Sequence, residues 1–496
     1  MKFSNGVLRN APYPPYRLNP PDFTKYCPVR PINEALAPYV NETLQAYNRR
    51  SKYVNKHHYY HNRTVLVKEY LTKDPHPVSL NQLSQYYDDS SRLTKQKIIS
   101  SGVFVKEELS IRLAHQLNML QQLPYNVVNN FHFNQVYESY YNMFERIRRM
   151  PGILTIEENA IFTRMLIKIL HDFNSLNLPH LIMGALECMI LGLYPSNKMD
   201  ELVSYLLRAR ISRRIIAEEH ISITENFSKG KTKNATIFGD IFQKCSAEYY
   251  LKKAALQAQR FIGDMYFPTI PMPEFKIEGD TDLSFYFLPN HITYLLGEIL
   301  RNTYEATIKE YIRSGSSKPS PITVTVISNK DFIIFRISDL AGGVHLDENQ
   351  LWSFGKSKEK AKKSLDNFHK LPGLQTISIY DHLYDKKSIS RKEYKKIQTN
   401  YYYSSLTPMG YVNPWHKDQN RSDITTEGFN MNRPLLGLFE RSFRYKLGIG
   451  LAMCKVYADY WNGDVQLHSM EGYGTDTVLK LRHLTNYSNV PQLDKL

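Results

Sequence analysis

Glycine placement constrains this chain more than any other feature. Ala341-Gly342-Gly343 directly follows the apolar run 332–338, and Gly448-Ile449-Gly450 stands immediately before the apolar run 451–461. The first pattern reads as a strand ending in a turn with close backbone approach, the second as a loop entering a helix. Upstream, Gly297-Glu298-Ile299-Leu300-Arg301-Asn302 carries helical spacing. Each segment alone is a common local pattern. In this order they assemble into one ATP pocket that is neither a P-loop nor a eukaryotic-type kinase site.

The chemistry follows from residue types. Glu298, Asn302 and Glu305 fall at i, i+4 and i+7 and share one helix face, with Ile292, Leu295, Leu296, Ile299 and Tyr304 supplying the buried side. A solvated polar stripe has the same spacing. Read functionally, Asn302 is an oxygen ligand for Mg²⁺, and Glu298 accepts a proton from an attacking hydroxyl. Asp339 ends an apolar strand, where a carboxylate can accept from an adenine amino group; it can equally close a hairpin in a glycine turn. Gly448 and Gly450 leave backbone N–H groups at a helix N-terminus for phosphate. Thr475, in Gly472-Tyr473-Gly474-Thr475, offers a hydroxyl at the adenine end or is a plain turn threonine.

Helical spacing dominates from about 103 to 194. Leu109, Leu113, Leu117 and Leu120 recur at it, as do Val136, Tyr140 and Met143, then Ile161, Met165 and Ile169. Pro124, Pro151 and Pro179 read as the connections, which gives a bundle. From about 280 the pattern alternates. A strand spans 283–288, Asn290 caps the next helix, and a hairpin of 322–328 with 332–338 turns at Asn329-Lys330-Asp331. A helix over 451–461 and strands 465–469 and 477–481 follow. The expected class is α+β: a helical bundle over 76–245, then an α/β sandwich over 246–484. Residues 1–75 read as an extended or partly disordered N-terminal extension, and 485–496 as a short tail. The stretch 356–445 has no sustained period and reads as a flexible insert or a lid between the second and third motifs.

Composition sets the surroundings. Lys and Arg outnumber Asp and Glu by 63 to 48, a net +15 that favours acidic partners without selecting nucleic acid, which is not expected as a partner. Cys27, Cys188, Cys245 and Cys454 lie far apart with no CxxC spacing, which points to a reducing compartment. The most apolar stretch, 181–193, is interrupted by Glu187 and is too short to span a bilayer. Lys2, Arg9 and Arg17 precede the first acid, Asp22, as in an organelle transit peptide, whereas the prolines between 12 and 21 oppose an amphipathic helix.

The three segments resemble the N, G1 and G2 boxes of the GHKL-type ATPase superfamily shared by DNA gyrase, Hsp90, bacterial histidine kinases and MutL. Within it, the chain is similar to the mitochondrial α-ketoacid dehydrogenase kinases, which act on pyruvate or branched-chain dehydrogenase. The similarity covers roughly 80–354 and 443–484. It is carried by Val465-Gln466-Leu467, Ser469-Met470-Glu471-Gly472-Tyr473-Gly474-Thr475-Asp476, Glu107-Glu108-Leu109-Ser110-Ile111-Arg112-Leu113-Ala114 and Arg210-Ile211-Ser212-Arg213-Arg214.

This resemblance implies a kinase domain of the histidine-kinase/Hsp90/gyrase type. It implies a serine kinase of the mitochondrial matrix that uses ATP and Mg²⁺ to phosphorylate and inactivate the E1α subunit of the pyruvate dehydrogenase complex. It further implies docking on the lipoyl domain of the E2 core and a homodimer, or a heterodimer with a related kinase. By position, Glu298 resembles the general base and His171 the helical-domain histidine that orients it. Asn302 resembles the Mg²⁺ ligand and Asp339 the adenine contact. The residues Lys446, Leu447, Gly448, Ile449, Gly450 and Leu451 match the phosphate lid. Glu305, Gly342, Gly343, Ser357, Lys358 and Thr475 complete the nucleotide site, and Arg210 and Arg214 resemble part of an effector pocket.

Four departures stand against the family pattern. Ala341 occupies a usual glycine position, Lys446 replaces the first glycine of the third box, Glu305 sits where an arginine is usual, and 356–445 is far longer than the family's lid region. The tail 485–496 also lacks an Asp-Trp pair, so dimerisation through the sheet is expected and dimerisation through a tail is not. The alternatives are a branched-chain dehydrogenase kinase, or a catalytically weak scaffold partner of another dehydrogenase kinase.

Overall fold

The computed structural model describes residues 61–76, 93–128, 130–230, 241–266, 270–343, 348–354, 357–370, 434–439, 441 and 445–484. Four long helices form the first layer: α1 (Lys95–Gln121), α2 (Phe131–Arg148), α3 (Ile156–Leu191) and α4 (Ser196–Ser228). Their starts are written locally. The Thr94 hydroxyl accepts from the Lys97 N–H, Asn130 from His132 and Phe133, and Thr155 with Glu158 makes a reciprocal capping box. Pro124 and Pro151 do lie in connections, but Pro179 does not: it sits inside the 36-residue α3. Leu178, Leu181, Ile182 and Met183 around it are at most 2% exposed. Their burial on both sides outweighs the roughly 3 kcal/mol that an interior proline costs a helix.

The second layer starts with β1 (Gln243–Ser246) and α5 (Ala247–Tyr266). There follow β2 (Phe275–Gly279), β3 (Ser284–Phe287), α6 (Pro289–Ser314), β4 (Ile322–Ser328) and β5 (Phe332–Asp339). β1 and β3 pair antiparallel, while the main sheet has the order β2-β4-β5-β7-β6. Its last strands are β6 (Asp464–Met470) and β7 (Gly474–Arg482); only β2 and β4 run parallel. This is a mixed helix-and-sheet fold of the α+β class. Asn290 is not the cap of α6: Leu288 holds that position, no side chain bonds there, and Pro289 opens the helix. A proline at the first position loses nothing, because its missing N–H would be unpaired in any case.

The stretch 356–445 is not structureless at its ends. α7 (Lys358–Lys370) packs on α3, and α8 (Pro434–Phe439) packs on α6 and α3. Ala361, Leu365 and Phe368, at i, i+4 and i+7 of α7, are almost fully buried, a stripe too short to show among the lysines around it. Residues 371–433 lie outside those described. The last helix, α9 (Gly450–Tyr460), packs on α6 and meets α4. One apolar core runs without a break from the bundle through these helices to the sheet.

Candidate active site

Glu298 is 1% exposed, on the face of α6 covered by the start of α9. A Cβ at Gly450 would come within 2.2 Å of Glu298 Oε2, so any side chain there would force the carboxylate or the helix start to shift. The partner of Glu298 comes from an unexpected place. Arg441, just after α8, donates from Nη1 to Oε1 at 2.6 Å and from Nη2 to Oε2 at 3.2 Å. Arg441 is itself buried, and the Glu298 charge beside it opposes the effect of burial and holds its guanidinium above the usual range. One turn after Glu298, Asn302 is exposed, and its amide makes no hydrogen bond among the described residues.

Glu305 lies one further turn along. Its Oε1 takes Lys309 at 2.5 Å and also Lys446, and these two ammonium groups hold its carboxyl below the usual range against its own burial. Two of the departures from the family pattern therefore meet as one ion pair. The Lys446 carbonyl accepts from Asn367 of α7 at 2.8 Å. Beyond it, Leu447 and Ile449 are buried, Gly448 is exposed with φ +68°, and Leu451 is half-buried in the first turn of α9. Among the described residues no side chain caps the start of α9, and its first residue, Gly450, meets Glu298.

At the far end, Asp339 closes β5 and stands in register with Thr475 of β7. It is 6% exposed, and its Oδ1 accepts from the Ala341 N–H at 3.1 Å. Burial pushes its carboxyl up to about 6, although the Ala341 and Thr475 N–H groups pull the other way. Gly342 and Gly343 both have positive φ, and the turn they make bonds to Gly472 and Tyr473 at the β6–β7 corner. The Thr475 hydroxyl lies 3.3 Å from that of Ser469. Ser357 and Lys358 are exposed at the start of α7, where the Ser357 carbonyl accepts from Ala361.

The bundle contributes Arg210 and Arg214. Arg210 is 5% exposed; its Nη1 lies 3.5 Å from the Tyr457 hydroxyl of α9, while Nε and Nη2 have no hydrogen-bond partner among the described residues. Burial pushes its guanidinium down. It lines two cavities: an apolar one inside the bundle with Leu113, Met143, Ile169 and Arg213, and one between the layers with His291, Leu435 and Tyr457. Arg214 lines both and pairs with Glu218 at 2.5 Å. His171 lies within α3, but its side chain is outside those described.

The structure thus sets Glu298, Asn302 and Glu305 along the middle of α6, where Gly450 meets Glu298 and Lys446 meets Glu305, with Asp339, Gly342, Gly343 and Thr475 at a strand end. Sequence reasoning missed Arg441, Phe439 and Arg301. Arg301 reaches from α6 to the carbonyls of Phe439 and Arg441 at 3.3 and 2.7 Å. No local pattern announces a partner that far along the chain, and the spacing that put Glu298 on a polar face gave no sign that it is buried and needs a cation.

Comparison with known proteins agrees. A family described as mitochondrial branched-chain alpha-ketoacid dehydrogenase kinase matches residues 77–242. The mitochondrial pyruvate dehydrogenase (acetyl-transferring) kinase 2 of Saccharomyces cerevisiae is 62% identical over 479 residues, covering 96% of this chain and 95% of the relative. The mitochondrial isozyme 4 of Homo sapiens is 24% identical, with 85% of each chain covered. The corresponding kinase of Arabidopsis thaliana is 24% identical over 82% of this chain and 90% of its own. With the bundle matched and a relative 62% identical over nearly the whole of both chains, the chain belongs to the family of mitochondrial α-ketoacid dehydrogenase kinases.

Proposed function

We propose that this protein transfers the γ-phosphoryl group of Mg-ATP to a serine of the E1α subunit of pyruvate dehydrogenase in the mitochondrial matrix, inactivating that enzyme. The observation that carries the reading is that buried Glu298 meets the glycine at the start of α9, with Asn302 exposed one turn along the same helix. The fit to a nucleotide is structural. A Cβ at Gly450 would crowd the Glu298 carboxylate, the Asn302 amide is free of hydrogen bonds among the described residues, and Asp339 offers a buried carboxylate for an amino group. Among the described residues no three of His, Cys, Asp and Glu cluster to hold a metal. A divalent ion at Asn302 would therefore complete its shell with phosphate oxygens and water.

In this reading Glu298 accepts the serine hydroxyl proton, and α9 amides with Lys446 neutralise phosphate charge. Asp339, Gly342, Gly343 and Thr475 seat the adenine, with Ser357 and Lys358 at the rim, while His171 orients Glu298. The arrangement of a helical regulatory bundle with a histidine-kinase/Hsp90/gyrase-type domain accounts for Arg210 and Arg214 as effector contacts. A lipoyl domain and a second kinase copy would be its partners. Bound Mg-ATP supplies the phosphoryl group and the charge it carries.

The test is transfer of γ-labelled phosphate to purified pyruvate and branched-chain dehydrogenase complexes. Acid-stable label is expected on the pyruvate dehydrogenase E1α, and loss of it in Glu298→Gln. One observation favours a second reading, that of a weakly catalytic scaffold: Arg441 occupies both oxygens of Glu298. Nucleotide binding without label on either complex would select that reading.

A further inference from the structure

A carboxylate whose two oxygens both accept from a guanidinium is a weakened base: the cation favours its ionised form and takes a lone pair on each oxygen. Arg441 holds Glu298 in this way, and the arrangement is built from several independent contacts. The same guanidinium donates to the Leu438 carbonyl and, from Nε, to the Tyr445 carbonyl at 3.1 Å. Arg301 holds the segment's backbone through the Phe439 and Arg441 carbonyls. Phe439 packs where a Cβ at Gly297 would come to 2.4 Å from its ring, one residue from Glu298. Leu435, Leu438 and Phe439 are buried, and Leu435 lines the interlayer cavity beside Arg210 and Arg214.

We propose that α8 and Arg441 form an autoinhibitory clasp on Glu298, opened when a nucleoside triphosphate seats on the loop entering α9. The inference rests on Glu298 being the base of the proposed kinase. Two features make the clasp answer to the nucleotide. Arg441 is tied through the Tyr445 carbonyl to the residue that begins the loop 445–450, so a phosphate that repositions the loop withdraws an acceptor from the guanidinium. The ion pair is also buried on both sides, and such pairs break as a unit because an unpaired charge cannot remain inside. The clasp is therefore closed or open, with no half-engaged state of comparable stability.

A clasp that must open before nucleotide binds lowers the apparent affinity by the fraction of molecules open. In full-length Arg441→Gln, a fluorescent ATP analogue is expected to bind about tenfold more tightly than in wild type. Hydrogen–deuterium exchange of the peptide covering 434–441 is expected to quicken when Mg-ATP is added to wild type, and to be fast with or without it in the variant. Equal or weaker binding in Arg441→Gln, with exchange of 434–441 indifferent to nucleotide, overturns the clasp. Should Arg441→Gln not fold, Arg441→Lys and Gly297→Ala supply the same comparison; the latter displaces the Phe439 ring, and both are expected to give smaller shifts of the same sign. Tighter binding and nucleotide-driven exchange, with no label on either dehydrogenase, would leave the clasp standing and remove the kinase reading. Full labelling by wild type with neither of the other effects would do the reverse.

Discussion

Asp339 carries opposing demands in one side chain. Burial raises its carboxyl to about 6 from an ordinary 3.8, so between those pH values the folded protein binds more protons than the unfolded chain. Stability contributed by this residue is present below about 4 and lost as pH climbs through 6. Asp339→Asn is therefore expected to raise stability at pH 7 by about 1–3 kcal/mol and to change little at pH 4, as read by thermal melts at both. If Asp339 seats adenine as proposed, the same substitution is expected to weaken ATP binding by about tenfold or more, as read by titration. A melting gain at pH 4 as large as at pH 7 would count against the raised pKa. At this scale the candidate site was readable in the sequence wherever the signal was local. Glu298 with Asn302, and Asp339 with its glycines, lie a few residues apart. Arg441 was not readable, because its importance comes only from what it touches 143 positions earlier.

Among elements, α9 and α7 carry the consequences. Gly450 opens α9 against Glu298, and a methyl group there must displace either the helix start or the carboxylate, which Arg441 holds in place. Gly450→Ala is expected to cut phosphate transfer by about 100-fold or more, since misplacement by an ångström is enough for that. Circular dichroism should remain close to wild type; an unaffected transfer rate would refute the close approach. α7 tests the corrected reading of 356–445. Leu365 is 1% exposed, and Leu365→Ala is expected to cost about 2–5 kcal/mol in denaturant unfolding, whereas an irregular segment would lose almost nothing. The strands and helices that were legible had clean two- or 3.6-residue periods over many residues. α7 and α8 were too short for that, and Pro179 misled because helix packing decided what local propensity could not.

The whole molecule is sensitive to acid through histidines that burial keeps neutral. His220 joins three helices, with Ser101 of α1 at 2.9 Å and Thr163 of α3 at 3.4 Å, and burial lowers it to about 4. His291 accepts from the Trp461 indole at 3.0 Å and is lowered to about 3 by burial, with Arg214 and Arg210 adding to the effect. Both have folded values below the unfolded 6.5, so the stability they give is present above 6.5 and drains as pH falls toward 4. For His220 alone the full loss is about 3 kcal/mol. Denaturant titrations at pH 7 and 5 are expected to show a drop that shrinks in His220→Gln; an unchanged drop would exclude this histidine as its source. The class of the fold was legible at this scale, but the contact of α4 with α9 was not, because nothing local records which helices meet.

The Glu305–Lys446 pair also restricts how the chain can change. Removing Lys446 first leaves Glu305 with Lys309 still beside it, a mild step. Replacing Glu305 by arginine first sets three cations, with Lys309 and Lys446, against one another beside the proposed nucleotide site. Any lineage moving between this charge arrangement and its reverse therefore meets less resistance in one order than in the other, and intermediates that carry the lysine loss should outnumber those that carry the arginine alone.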